Sequence, residues 1–226
     1  MMKMLSDENK ISAFIFDMDG ILLDTESVCR ICWQRAALEM GLTGGDEIYQ
    51  KCIGCNTSDM NVMINDFFSC QTKKFDVLEF NKRAYELFYE VEKEQGLKKM
   101  PGTDECLKSL TEKGYILAVA SSTKTKTVKR QLKDAGIDHY FKTFTCGDTV
   151  THSKPNPEIY LKACRSLNLL PQNCVAIEDS PNGVRSATSA GMRCIMIPDQ
   201  IQPTEEIRSL AWKIFPSLVD ISRFAL

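Results

Sequence analysis

No stretch of this chain approaches the roughly 20 consecutive apolar residues that a membrane-spanning helix requires, so no such span is expected. The opening MMKMLSDENK carries no apolar run suited to a signal peptide, and the cytoplasm is the expected compartment. An excess of one charge is missing too. The 28 Lys and Arg nearly balance 30 Asp and Glu, leaving a net charge of -2 spread along the chain. That balance gives no electrostatic footprint for nucleic acid or an anionic membrane. Histidine is scarce: His139 and His152 stand in no ligand or catalytic pattern and read as structural or exposed. Internal repeats and low-complexity tracts are absent.

What is present is an ordinary globular composition, 43% apolar and 26% charged over 226 residues, enough for one large domain or a core with a smaller one added. The ten cysteines are scattered, several inside apolar runs such as CVAIED at Cys174, and read as reduced core thiols. Cys29 with Cys32 and Cys52 with Cys55 have the C-x-x-C spacing of a zinc or redox site, although the first pair falls on an apparent helix.

Short apolar runs end abruptly in polar residues at four places. Ile11 to Phe16 runs into Asp17, and Tyr115 to Ala120 into Ser121 and Ser122. Cys174 to Ile177 runs into Glu178, Asp179 and Ser180, and Cys194 to Ile197 into Pro198 and Asp199. Runs with so little alternation read as parallel strands buried on both faces. Helical patterns lie between them: Leu107 with Leu110; Val128, Leu132 and Ala135 closed by Gly136; residues 157–167; and residues 183–190. The fold class is therefore α/β, a doubly wound parallel sheet whose ligands sit at the carboxyl ends of its strands. Residues 26–96 break the rhythm. They show at least three helical patterns, among them Phe80, Ala84, Phe88 and Val91, and no convincing strand. This stretch is too long for a crossover and reads as an inserted all-helical cap, 26–96, on a core of 1–25 and 97–226.

The chemistry-bearing residues stand where those strands end. Asp17 and Asp19 lie two apart in DMDGILLD, which closes on Asp24. Ser121 follows the second strand, Lys154 lies in KPNPEIY, and Glu178 and Asp179 lie in EDSPNG. Each has a plainer reading. The two aspartates could cap a turn, Ser122 and Thr123 are as good N-cap residues as Ser121, and Lys154 alone would be a solvated lysine. Asp24 reads as a brace for the turn.

In this order the four stretches resemble the haloacid-dehalogenase-like superfamily, whose phosphotransferases carry DxDGxLxD. The DTE from Asp24 to Glu26, KPxPxxY and EDSxxG resemble its subgroup of β-phosphoglucomutase and sugar phosphatases. The resemblance spans nearly the whole core and implies a Mg²⁺-dependent phosphatase acting on a small phosphorylated metabolite, with a sugar phosphate as the expected substrate. By that resemblance Asp17 is the nucleophile and becomes an aspartyl phosphate, and Asp19 is the general acid and base. Ser121, Ser122 and Lys154 bind phosphate. Asp17, the Asp19 backbone carbonyl and Asp179 hold Mg²⁺, while Glu178 stands behind them or joins them.

Asp19 favours P–O chemistry, since true dehalogenases and phosphonate hydrolases lack an aspartate at that place. Cys29 occupies the position of a mutase's hinge histidine, and Thr57 the position of its phosphate-gripping arginine, which weakens the mutase alternative. A non-catalytic phosphate-sensing regulator is the alternative of another class. Against it, Asp17, Asp19, Lys154 and Asp179 are all in place. Protein partners cannot be read from the sequence.

Overall fold

The computed structural model describes residues 10–53 and 57–223. The side chains of residues 57 and 58 also lie outside the description, as do Cys55 and Asn56, so the C-x-x-C ending at Cys55 and the loop weighed against a mutase fall there. The chain divides into two compact units, Met1–Leu23 with Lys98–Leu226, and Asp24–Leu97.

The first unit is built on six parallel strands. They are β1 (Ala13–Phe16), β2 (Ile116–Ser121), β3 (Phe141–Cys146), β4 (Cys174–Glu178), β5 (Arg193–Met196) and β6 (Lys213–Ile214). Their order is β3-β2-β1-β4-β5-β6, with every neighbouring pair parallel. The central strands are the apolar runs of the sequence, and β1 and β4 are buried at every residue. The two edge strands are not legible that way. In β3, FKTFTC, exposed and half-buried residues interrupt the apolar ones, and β6 is only two residues long.

The second unit, among the described residues, consists of the helices α1 (Thr25–Glu39), α2 (Gly45–Cys52), α3 (Thr57–Ser69) and α4 (Val77–Gln95). Asp24 caps α1 by accepting the Ser27 N–H, and Asp76 caps α4. This unit has a core of its own. Cys32, Ala36 and Ala37 of α1 cluster with Ile48, Ile64, Phe68, Phe80, Ala84 and Leu87, and the Trp33 ring meets Phe80 edge-on. The fully buried residue on the third turn of that stripe is Leu87; Phe88 sits partly buried at its margin.

In the first unit α5 (Thr103–Glu112) and α6 (Thr125–Asp134) precede α7 (Glu158–Leu167), α8 (Pro181–Ser189), α9 (Glu205–Leu210) and α10 (Leu218–Arg223). Helices α7 and α8 cover one face of the sheet. There Ile159, Tyr160, Ala163, Val184 and Ala187 meet the small residues Ala13, Ala118, Ala120 and Ala176. Small strand residues let these helices approach closely, which brings Tyr160 and Gly183 to the end of β4. The order reverses beside β1, so the carboxyl ends of β1 and β4 flank the switch point at which open α/β sheets bind ligands.

Seven of the nine described cysteines are buried and all nine are free thiols; Cys29 is half-buried and Cys70 exposed. Burial pushes the Cys106 thiol up to about 12, which makes it inert. No helix among the described residues is long and apolar enough to cross a membrane. His139 stacks beside Tyr140 and His152 sits by Glu158, both on the surface.

Candidate active site

Asp17 continues β1 by one residue, its N–H donating to the Ile177 carbonyl at 2.9 Å. The chain then turns at once. Leu22 and Leu23 N–H donate back to the Met18 carbonyl, and Gly20 N–H to that of Leu23. Gly20 has φ +72°, and a Cβ there would stand 2.8 Å from Asp179 Oδ2. Glycine is therefore required by backbone conformation and by the approach of the β4 loop. The Asp199 carboxylate, beyond β5, reaches the same place.

Lys154 lies in the segment before α7, and its Nζ has three acceptors for three protons: Asp17 Oδ1 at 2.8 Å, Glu178 Oε1 at 2.6 Å and the Ala120 carbonyl at 3.1 Å. The ammonium thereby ties together the ends of β1, β2 and β4. The Tyr160 hydroxyl donates to Glu178 Oε1 at 2.6 Å, and Ser180 Oγ to Glu178 Oε2 at 3.3 Å. Two hydrogen bonds of the segment itself support the lysine. Glu158 accepts the Thr151 and His152 N–H groups, which holds its own carboxyl below the usual range.

One carboxylate oxygen each from Asp17, Glu178 and Asp179 fall within 4.8 Å of one another. Among the described residues no other His, Cys, Asp or Glu cluster of this size exists. The Asp17 carboxyl is raised to about 8: burial pushes it up most, Lys154 pulls it down, and Glu178 and Asp19 push it up. Burial alone would lower Lys154, but attraction to Asp17 and Glu178 outweighs it and the ammonium is firmly protonated. A carboxyl in Asp17's position needs a further positive charge to be held ionised at neutral pH, and an all-oxygen set of this kind suits a hard divalent cation. Glu178 is already committed to Lys154 and Tyr160, which leaves Asp17 and Asp179 as its better-disposed donors.

Beside this cluster Ser121 Oγ donates to Asp19 Oδ2 at 3.3 Å and accepts the Thr123 N–H at 3.0 Å. The Thr123 hydroxyl donates to the same Asp19 oxygen at 2.9 Å. Ser122 is exposed next to them. None of the three caps α6. Lys124 is its N-cap residue, and the Asp148 carboxylate, arriving from the loop after β3, accepts the Thr125 N–H and hydroxyl in their place. Thus Asp17, Asp19, Ser121, Lys154, Glu178 and Asp179 assemble at the ends of three adjacent strands. Thr123, named only as an N-cap candidate, joins them together with Tyr160 and Gly183. The tyrosine and the glycine stood in view within KPNPEIY and EDSPNG, but nothing in a sequence says which buried carboxylate they touch.

A family model for haloacid dehalogenase-like hydrolases matches residues 14–197. The chain belongs to that family. Among curated proteins it is 34% identical to a phosphorylated carbohydrates phosphatase of Thermotoga maritima, over 82% of this chain and 84% of the other. It is 29% identical to a probable pseudouridine-5'-phosphatase of Drosophila melanogaster, over 93% and 91%. Among solved structures, a putative β-phosphoglucomutase from Thermotoga maritima superposes with a TM-score of 0.79 at 29% identity, covering 94% of this chain and 97% of that one. This member of the haloacid dehalogenase-like family is a phosphoric monoester hydrolase.

Gly183 offers a sharp test of the site's packing. A Cβ at Gly183 would fall 1.9 Å from the Glu178 carboxyl carbon, because the first turn of α8 rests directly on that carboxylate. Ser180 pins the turn by accepting the Gly183 N–H at 3.1 Å. In Gly183→Ala either the helix start or Glu178 must shift, and Lys154 loses its counterion's position. We expect turnover to drop by up to about 100-fold, the scale that an ångström of misplacement can cost, together with a lower melting temperature. Normal turnover and melting in this variant would show that Glu178 is not held as described.

Proposed function

We propose that this hydrolase releases inorganic phosphate from a small phosphorylated carbohydrate or polyol through an aspartyl phosphate on Asp17, with Mg²⁺ as its metal. The carrying observation is the Lys154 ammonium buried between Asp17 and Glu178, beside Asp179. Such a pocket presents a nucleophilic carboxylate and a fixed positive charge to a dianion. The similarity to the Thermotoga carbohydrate phosphatase supports the substrate class.

Asp17 attacks the phosphorus in line, and the bond from phosphorus to the leaving oxygen breaks. Asp19, entering as the carboxylic acid, gives that oxygen its proton. Water then attacks the phosphorus of the aspartyl phosphate while the Asp19 carboxylate takes a proton from it. The bond to Asp17 breaks, phosphate leaves, and both aspartates return to their starting states. Lys154 holds Asp17 and balances charge on the transferring group, and Ser121 and Ser122 hold phosphate oxygens. Mg²⁺ on Asp17, Asp179 and the Asp19 carbonyl would offset the repulsion between nucleophile and dianion. The helical unit Asp24–Leu97 serves as the substrate-selecting cap.

The test is phosphate release from sugar, polyol, nucleotide and aryl phosphates, with Mg²⁺ and with EDTA. Turnover should require Mg²⁺ and be highest on sugar or polyol phosphates. Undiminished turnover in EDTA would overturn the metal reading. A β-phosphoglucomutase-like transfer is the second reading, favoured by the structural similarity to the Thermotoga protein. Given the anomeric phosphate of β-glucose with a trace of bisphosphate, the hydrolase yields free phosphate. Isomerised sugar phosphate in clear excess would reverse the order of the two readings.

A further inference from the structure

The two hydroxyls on Asp19 have unequal duties. Ser121 Oγ and Thr123 Oγ1 both donate to Asp19 Oδ2, at 3.3 and 2.9 Å. A hydroxyl carries a single proton, so Ser121 cannot donate to Asp19 and to a substrate phosphate at the same time. Once the phosphate takes the Ser121 proton, Thr123 remains to restrain that oxygen. From this geometry we propose that Thr123 is a positioning residue, whose hydroxyl holds the Asp19 carboxyl in the orientation from which it gives and recovers the transferred proton. The inference rests on the reading of Asp19 as general acid and base.

The main chain around Thr123 is secured without that hydroxyl. Its N–H donates to Ser121 Oγ at 3.0 Å, and its carbonyl accepts the Gly147 N–H at 3.1 Å. Gly147 lies so close that a Cβ on it would stand 2.0 Å from the Ser122 carbonyl oxygen. The loop's course is thus set by backbone contacts, and the Thr123 hydroxyl can be removed without releasing the loop. Threonine is also well suited to the task. Its branched Cβ restricts χ1, so the hydroxyl stays aimed at Asp19 at little entropic cost.

The experiment compares Thr123→Val, which keeps the shape and loses the hydroxyl, with Thr123→Ser, which keeps the hydroxyl. Each is assayed on glycerol phosphate, a poor leaving group, and on para-nitrophenyl phosphate, a good one, with acid quenching to measure phosphoenzyme. For Thr123→Val we expect kcat on glycerol phosphate to fall roughly tenfold, the scale of one hydrogen bond, with KM nearly unchanged. On para-nitrophenyl phosphate the first step should be spared and phosphoenzyme should accumulate. Thr123→Ser should recover most of the loss. Thr123→Ala stands in if the valine variant does not fold.

Asp19→Asn is run alongside. If it is leaving-group-sensitive while Thr123→Val is not, the positioning role is wrong and the acid–base reading stands. If Asp19→Asn slows both substrates equally, the acid–base reading falls and takes the Thr123 role with it. Equal losses on both substrates in Thr123→Val, with a raised KM, would mean that Thr123 binds phosphate instead.

Discussion

Asp17→Asn removes phosphate release, by roughly four orders of magnitude or more, the scale on which loss of a nucleophile is felt, and leaves the fold at least as stable as before. The two halves of this expectation have one origin. Burial pushes the Asp17 carboxyl up from 3.8 to about 8, so the structure tolerates its neutral form and resists its charge. An amide keeps the shape and supplies that neutrality while losing the nucleophile. The sign of the pH dependence follows. Between about 4 and 8 the native state holds a proton on Asp17 that the unfolded chain has released, so in EDTA the parent's stability declines as pH rises through that window. The asparagine variant lacks this component of the slope. Denaturant unfolding of both proteins across that range, in EDTA, measures it. An unchanged slope would show that Asp17 is not held against its charge.

Lys154→Met should be the more damaging change to the fold. Lys154 is buried between two carboxylates, and its three protons meet Asp17, Glu178 and the Ala120 carbonyl. Without it the Glu178 carboxylate is left buried with no countercharge, and breaking a buried ion pair in this way costs about 3–5 kcal/mol. Turnover should fall about 100- to 1,000-fold through loss of charge at the transferring phosphate. Lys154→Arg should not restore it, because a planar guanidinium cannot direct donors to the same three acceptors. Urea unfolding and steady-state turnover read the two effects separately. A methionine variant as stable and active as the parent would show that neither the fold nor the reaction depends on the buried ammonium.

The sheet could be read where its strands are buried on both faces. AFIF, ILAVAS and CVAIE are apolar without alternation because the sheet's interior leaves them no wet side. β3 and β6 escaped because an edge strand need not be apolar; FKTFTC exposes Lys142 and half-exposes Thr143 and Phe144. Likewise Asp17, Asp19 and Asp179 could be named because each follows a strand in a spaced motif, and Lys154 because it stands in KPNPEIY. What joins them could not. The Thr123 hydroxyl and Asp19 are 104 residues apart, and the Lys154 ammonium and Asp17 are 137 apart. Such pairings are set by strand order, which no local pattern states. Tyr160 illustrates the point. Its apolar face suits the α7 core, and only the fold reveals that its hydroxyl reaches Glu178.

The covalent intermediate is the centre of the account, and trapping it is the most direct test. Asp19→Asn mixed with para-nitrophenyl phosphate and Mg²⁺, then quenched in acid within the first turnover, should carry one phosphoryl group. Borohydride reduces an aspartyl phosphate to homoserine and releases the phosphate, so peptide mapping after reduction should find homoserine in place of Asp17. Phosphate found on another residue, or complete turnover with no covalently labelled protein at any quench time, would contradict the mechanism.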